Sequence, residues 1–113
     1  MDVSTATAAL NALSHETRLA AFRHLVQAGH DGLPVGALRA LLAVPGATLT
    51  AHLNILRQAD LVTDEREGRV IRLRANYGRM DALLAYLTEN CCGGLPCEDN
   101  PACAPATQKE TAL

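Results

Sequence analysis

The chain has 113 residues, of which 3% are aromatic, and a formal net charge of −2. That length supports one hydrophobic core and excludes a second independent one, and Leu, Val, Ile and Ala must build it. No apolar run approaches the roughly 18 uncharged residues of a membrane span and no signal-like segment opens the chain, so a cytoplasmic protein with no membrane partner is expected.

From the N-terminus, the Ala-rich stretch Val3 to Leu13 reads as a short helix with Leu10 and Leu13 on one face. Ser14 is a suitable cap for a second helix, whose first turn carries Glu16 near the positive end of the dipole. Leu19, Phe22, Leu25 and Val26 then recur at helical spacing, and Gly29 with "HDGLP" ends the helix. "VGALRALLAV" places Val35, Leu38 and Leu41 or Leu42 on one face, and "PGATLTAHLNILRQADLV" places Leu49, Leu53 and Leu56 on another. Pro45 suits a first helical turn because its missing N–H would be unpaired there anyway.

The period then changes. In "LVTDEREGRVIRLRA" the returning half alternates Val70, Arg72 and Arg74 with Ile71 and Leu73, and "REGR" supplies a turn glycine. A two-stranded hairpin is expected. Met80, Leu83, Leu84 and Leu87 resume helical spacing, Cys91 extends the stripe, and Gly93, Gly94 and Pro96 stop it. The Pro/Ala/Thr-rich remainder reads as flexible. The chain is therefore mainly α with a β-hairpin: a winged helix-turn-helix over residues 1–92 and a Cys-containing tail over 93–113. Its apolar end helices (Leu10, Leu13, Met80, Leu83, Leu84 and Leu87) would be covered by pairing as a homodimer.

Charge follows the same division. Over residues 66–79, Arg66, Arg69, Arg72, Arg74 and Arg79 face one acid, Glu67, whereas Glu89, Glu98, Asp99 and Glu110 face only Lys109. On the second helix of the helix-turn-helix, Thr48, Thr50, His52 and Asn54 are the residues expected at base edges and phosphates of double-stranded DNA. Arg66, Arg69, Arg72 and Arg74 are expected at the phosphates or in the neighbouring minor groove. An amphipathic helix with a polar outer face and a charged edge hairpin that blocks aggregation are the plainer readings of the same residues. The histidines His15, His24 and His30 have no ligand spacing.

"ALSHETRLAAFRHL", "ATLTAHLNILRQADLV" and "REGRVIRLRAN", in this order over about Thr7 to Cys92, resemble the ArsR/SmtB family of metal- and metalloid-responsive repressors. The closing "LLAYLTENCCGG" is similar to the arsenic-sensing subgroup with cysteines after the last helix. The resemblance implies a winged-helix homodimer that represses its operon until trivalent arsenic binds, with no organic cofactor and no catalysis. Three family features differ. Leu33 and Val35 occupy the positions of a Cys-Val-Cys arsenite site, "RMDALLAYLTEN" lacks the histidine of a zinc site, and Ala51 stands where many relatives carry a larger residue.

All four cysteines lie between Cys91 and Cys103. In a reducing cytosol such a cluster points to metal or redox chemistry rather than structural disulfides. Thiolates select soft ions, and trivalent arsenic takes three sulfurs in a pyramid. Cys91 and Cys92 are adjacent, and the Gly93-Gly94 hinge lets the chain return Cys97 to the same centre. Antimony(III) or a methylated trivalent arsenical has the same preference. With Cys103 the cluster offers four ligands, which keeps zinc or another soft metal open, as it does a redox thiol pair. A thiol reductase is the rival from another class, although the bordering acids disfavour an anionic substrate.

Overall fold

A computed structural model of the protein describes residues 1–94. The elements run α1 (Val3–Leu13), α2 (Glu16–Ala28), β1 (Leu33–Pro34), α3 (Val35–Leu42), α4 (Gly46–Gln58), β2 (Val62–Glu67), β3 (Val70–Ala75) and α5 (Tyr77–Leu87), with 3-10 turns at Gly29–Asp31 and Cys91–Gly94. The chain divides into two units, Met1–Leu83 and Leu84–Leu113.

In the first unit the core is leucine-built. Leu25, Leu38, Leu49, Leu53, Leu56, Leu61 and Leu73 are fully buried, joined by Phe22; burying each such side chain contributes about 1.5–3 kcal/mol. The stripe Leu49, Leu53 and Leu56 of α4 faces inward as its spacing requires. On α1 the inward face is built of alanines. Ala6, Ala9 and Ala12 are buried, whereas Leu10 is 44% exposed, because small side chains allow α1 to pack closely on its neighbours and the leucines are left outside. Leu19 is likewise exposed, and Ala21 takes the inward place beside Phe22 and Leu25.

Local chemistry explains the boundaries. Asp2 caps α1 by accepting from the Thr5 N–H at 2.7 Å. Ser14 does not cap α2; it closes α1, donating its hydroxyl to Asn11 O, and His15 caps α2 by accepting from the Thr17 N–H through Nδ1 at 3.1 Å. The Ser hydroxyl is already spent on the carbonyl end of the preceding helix. Ala43 ends α3 in the left-handed region at φ 55°, with its N–H on Arg39 O. Pro45 then occupies the cap position of α4 rather than its first turn. Helix, short left-handed turn, helix is the result.

The sheet has three strands in the order β1-β3-β2, all antiparallel. The expected hairpin is present, with Glu67 opposite Val70 and a two-residue connection, Gly68-Arg69. Gly68 has φ 63°, the first position of a type II′ turn. The additional strand is Leu33–Pro34, pairing with Leu73 and Arg72. Gly32 makes this approach: a Cβ there would lie 2.1 Å from Leu73 O, and its φ is +64°. Val62 at the base of β2 and Leu73 and Ala75 of β3 are buried, while residues 63–70 are exposed and project as a wing.

Asn76 closes the unit. Its Oδ1 accepts from the Arg79 N–H at 3.2 Å at the start of α5 and its amide donates to Asp60 O at 2.8 Å. Tyr77 donates its hydroxyl to Val26 O at 2.9 Å. Leu83, expected on the dimer face, is 5% exposed and belongs to the core of the protomer itself. Leu13 and Met80 are half-buried.

In the second unit α5 ends at Leu87, earlier than Gly93 and Gly94 would have ended it. Thr88 returns its hydroxyl to Leu84 O at 2.8 Å, Glu89 bonds Tyr86 O, and Asn90 turns left-handed at φ 57°. Cys91 therefore lies in a 3-10 turn and does not extend the helical stripe. Leu84 and Leu87 are each 53% exposed. Among the described residues no helix is long and apolar enough to cross a membrane.

Candidate nucleic-acid interface

The face of α4 opposite its buried leucines is open to solvent. Thr48, Thr50 and Asn54 are all exposed, together with Ala47, Ala51, Ile55 and Gln58. The Thr50 hydroxyl donates to Gly46 O at 3.0 Å, one turn back, whereas Thr48 makes no side-chain hydrogen bond among the described residues. Asn54 Oδ1 accepts from Arg57 Nη1 at 2.9 Å, and Arg57 Nε pairs with Asp64 Oδ1 of β2 at 3.2 Å. This chain ties the helix to the wing and leaves the Asn54 amide nitrogen as an outward donor.

His52 is placed differently. It is half-buried, its ring centroid lies 4.5 Å from that of His15, and its Nδ1 is 3.4 Å from Arg18 Nη1. Arginine has only donors, so Nδ1 accepts and the neutral ring carries its proton on Nε2. Arg18 is fixed by Ala12 O at 2.7 Å and Asn11 O at 3.4 Å. Burial, then the proximity of His15 and Arg18, pushes the His52 pKa below its ordinary 6.5. His52 thus joins α4 to the start of α2.

The wing separates its arginines into two kinds. Arg72 pairs with Glu67 at 3.0 Å and donates to Asp31 O; Arg74 pairs with Glu65 at 2.5 Å and donates to His30 O. Arg79 pairs with Asp60 at 3.1 Å. Arg66 and Arg69, at the tip, make no ion pair or side-chain hydrogen bond among the described residues. Three of the five arginines of residues 66–79 are thus paired, by Asp60, Glu65 and Glu67, and the uncompensated charge is concentrated at the tip.

Sequence reasoning missed Arg57 and Asp64, which tie α4 to β2, and the outward residues Ala47 and Gln58. Their signal was available: the outward residues fall opposite Leu49, Leu53 and Leu56 on the helical period.

Of the thiols, Cys91 is half-buried in the 3-10 turn, its N–H bonded to Thr88 O at 2.9 Å. Cys92 lies in the same turn, and Cys97 and Cys103 lie outside the described residues. Among the described residues no group of three His, Cys, Asp or Glu side chains is arranged to hold a metal ion.

A helix-turn-helix domain family matches residues 13–65, from the end of α1 into β2. Comparison with curated proteins gives no match. Solved structures do match. HlyU from Vibrio cholerae is 26% identical with a TM-score of 0.65, covering 81% of this chain and 99% of that one. An ArsR-like transcriptional regulator from a Rhodococcus species is 27% identical with a TM-score of 0.67, covering 96% and 93%. The homodimeric winged helix-turn-helix DNA-binding domain of a Mycobacterium bovis protein, described as a possible ArsR-family regulator, is 22% identical with a TM-score of 0.61, covering 82% and 86%, and shows the fold. The exposed helix face, the wing and these likenesses together give the chain a winged helix-turn-helix fold that carries a helix-turn-helix domain match and is similar to an ArsR-like transcriptional regulator.

Proposed function

We propose that the protein is a homodimeric transcriptional repressor that binds operator DNA and is released when trivalent arsenic binds the thiolates of Cys91, Cys92 and Cys97. The observation that carries this reading is the grouping of every cysteine of the chain directly after the last helix of a winged helix-turn-helix protein. Soft sulfur donors in that number suit a thiophilic centre. The exposed Leu10, Leu84 and Leu87 support pairing of two copies, which would present two α4 helices to half-sites about 34 Å apart. Thr48, Thr50 and Asn54 supply base-edge contacts, and the wing supplies phosphate contacts. His52, Arg72 and Arg74 support that surface from behind.

Release needs only that arsenic bind the DNA-free state better than the bound state. A coupling of about 1–3 kcal/mol gives roughly 5- to 150-fold weaker binding. The inducer class extends to antimony(III) and to methylated trivalent arsenicals, which use fewer thiolates.

The test is fluorescence anisotropy on a duplex that the protein itself selects from a random-sequence pool, titrated with arsenite and separately with zinc under reducing conditions. Release by substoichiometric-to-stoichiometric arsenite supports the proposal. Release by zinc alone assigns a four-ligand metal site with Cys103, and steady turnover of arsenate with a dithiol assigns a reductase.

A further inference from the structure

The arginines outside the wing divide in the same way as those within it. Arg18 is held by two carbonyls and His52, and Arg57, Arg72, Arg74 and Arg79 are in ion pairs. Among the described residues this leaves Arg23, Arg39, Arg66 and Arg69 with no ion pair or side-chain hydrogen bond. Arg23 sits on α2 in a shallow depression with Ala20, His24 and Gln27, all of that helix.

Arg39 is elsewhere. It is exposed on α3, yet its guanidinium reaches across the helix-turn-helix corner: a Cβ placed on Gly46 would lie 3.6 Å from both its Cζ and Nη1. Gly46 is the first residue of α4, so an unspent cation stands beside the start of the helix whose outer face carries Thr48, Thr50 and Asn54. Because Gly46 has no side chain, nothing comes between the guanidinium and the backbone there.

We propose that Arg39 contacts a DNA phosphate and fixes the entry angle of α4, and that Arg39, Arg66 and Arg69 together supply the phosphate-neutralising charge. Arg72 and Arg74, committed to Glu67 and Glu65, supply little. This rests on the DNA-binding reading above. A phosphate contact positions the protein without reading sequence, and each one neutralised adds about 0.9 to the slope of log K against log salt.

The experiment measures that slope on the selected duplex and on a random-sequence duplex for the wild type, Arg39→Gln, Arg39→Lys, Arg23→Gln, Arg66→Gln and Arg72→Gln. The expected result is that Arg39→Gln flattens the slope by about 1.8 for a dimer on both duplexes, while Arg39→Lys and Arg23→Gln keep the wild-type slope. The Lys variant and a thermal melt separate lost contact from lost fold. An unchanged slope in Arg39→Gln, with Arg66→Gln flattened, overturns the role of Arg39 and leaves DNA binding intact. Loss confined to the selected duplex at unchanged slope makes Arg39 a base reader and also overturns the proposal. A wild type that binds neither duplex overturns both readings.

Discussion

Arg72 Nε of β3 lies 3.0 Å from Glu67 Oε1 of β2, the last residue before the turn. The pair is partly exposed, with 27% and 43% of the two side chains accessible, so its contribution to stability is at most about 1 kcal/mol. Its larger effect is on the charge the wing can offer. Glu67→Gln should leave the melting temperature nearly unchanged, tighten DNA binding at low salt several-fold and steepen the salt dependence. Anisotropy at several salt concentrations checks this, and unchanged affinity would show that Arg72 is remote from the DNA.

Gly32 sets the approach of β1 to β3. Its φ of +64°, and the mere 2.1 Å that would separate a Cβ at this position from Leu73 O, make it intolerant of any side chain. Gly32→Ala should destabilise the protein by about 2 kcal/mol or more, read by denaturant unfolding. Gly68→Ala meets nothing within 4 Å and bears only the strain of φ +63°, so it should cost less.

His52 predicts a pH dependence. Its pKa is held below 6.5 by burial, by His15 and by Arg18, so below that pH the unfolded chain binds more protons than the native one. Stability then rises with pH through this window. It is fully present above 6.5 and declines as pH falls toward the lowered native value. No titratable side chain of α1 lies between Val3 and Leu13, and Asp64 of β2 is engaged by Arg57; the groups that face His52 are His15, the cap of α2, and Arg18 of α2. Thermal unfolding against pH should show the slope, and His52→Gln should reduce it.

Leu10 is 44% exposed on α1 while the Ala6, Ala9 and Ala12 face is buried. Leu10→Asp should therefore preserve the helical circular dichroism signal of the protomer, yet shift sedimentation toward monomer and weaken DNA binding at least tenfold. A variant that remains dimeric would place the dimer face elsewhere.

Much of this is legible in the sequence. Leu49, Leu53 and Leu56 mark α4 because a buried stripe must follow the helical period, and Val70 to Ala75 mark a strand because its alternation is set by the pleat. Other features depend on contacts that periodicity does not encode. Leu33–Pro34 is too short to show alternation and becomes a strand only because Gly32 lets it reach Leu73. The leucines of α1 show which face a partner could cover, but not that Ala6, Ala9 and Ala12 form its inward face, because close helix packing rather than hydrophobicity selects them. A charge window beginning at Arg66 overstates the wing because it omits Glu65, which the hairpin folds back onto Arg74. Its place on α4 marks His52 as a candidate DNA contact, but the sequence does not show that it lies half-buried against His15. Periodicity carries the stripe of α5 to Cys91, but the left-handed Asn90 interrupts it.

The most direct test of the central claim is arsenite-induced release from the selected duplex, followed by anisotropy for the wild type and for Cys91→Ser, Cys92→Ser, Cys97→Ser and Cys103→Ser. The account predicts that arsenite releases the wild type and Cys103→Ser, while the other three variants bind DNA normally and stay bound. Release of Cys91→Ser, Cys92→Ser and Cys97→Ser at the wild-type arsenite concentration would contradict it, and would remove the thiols from the switch.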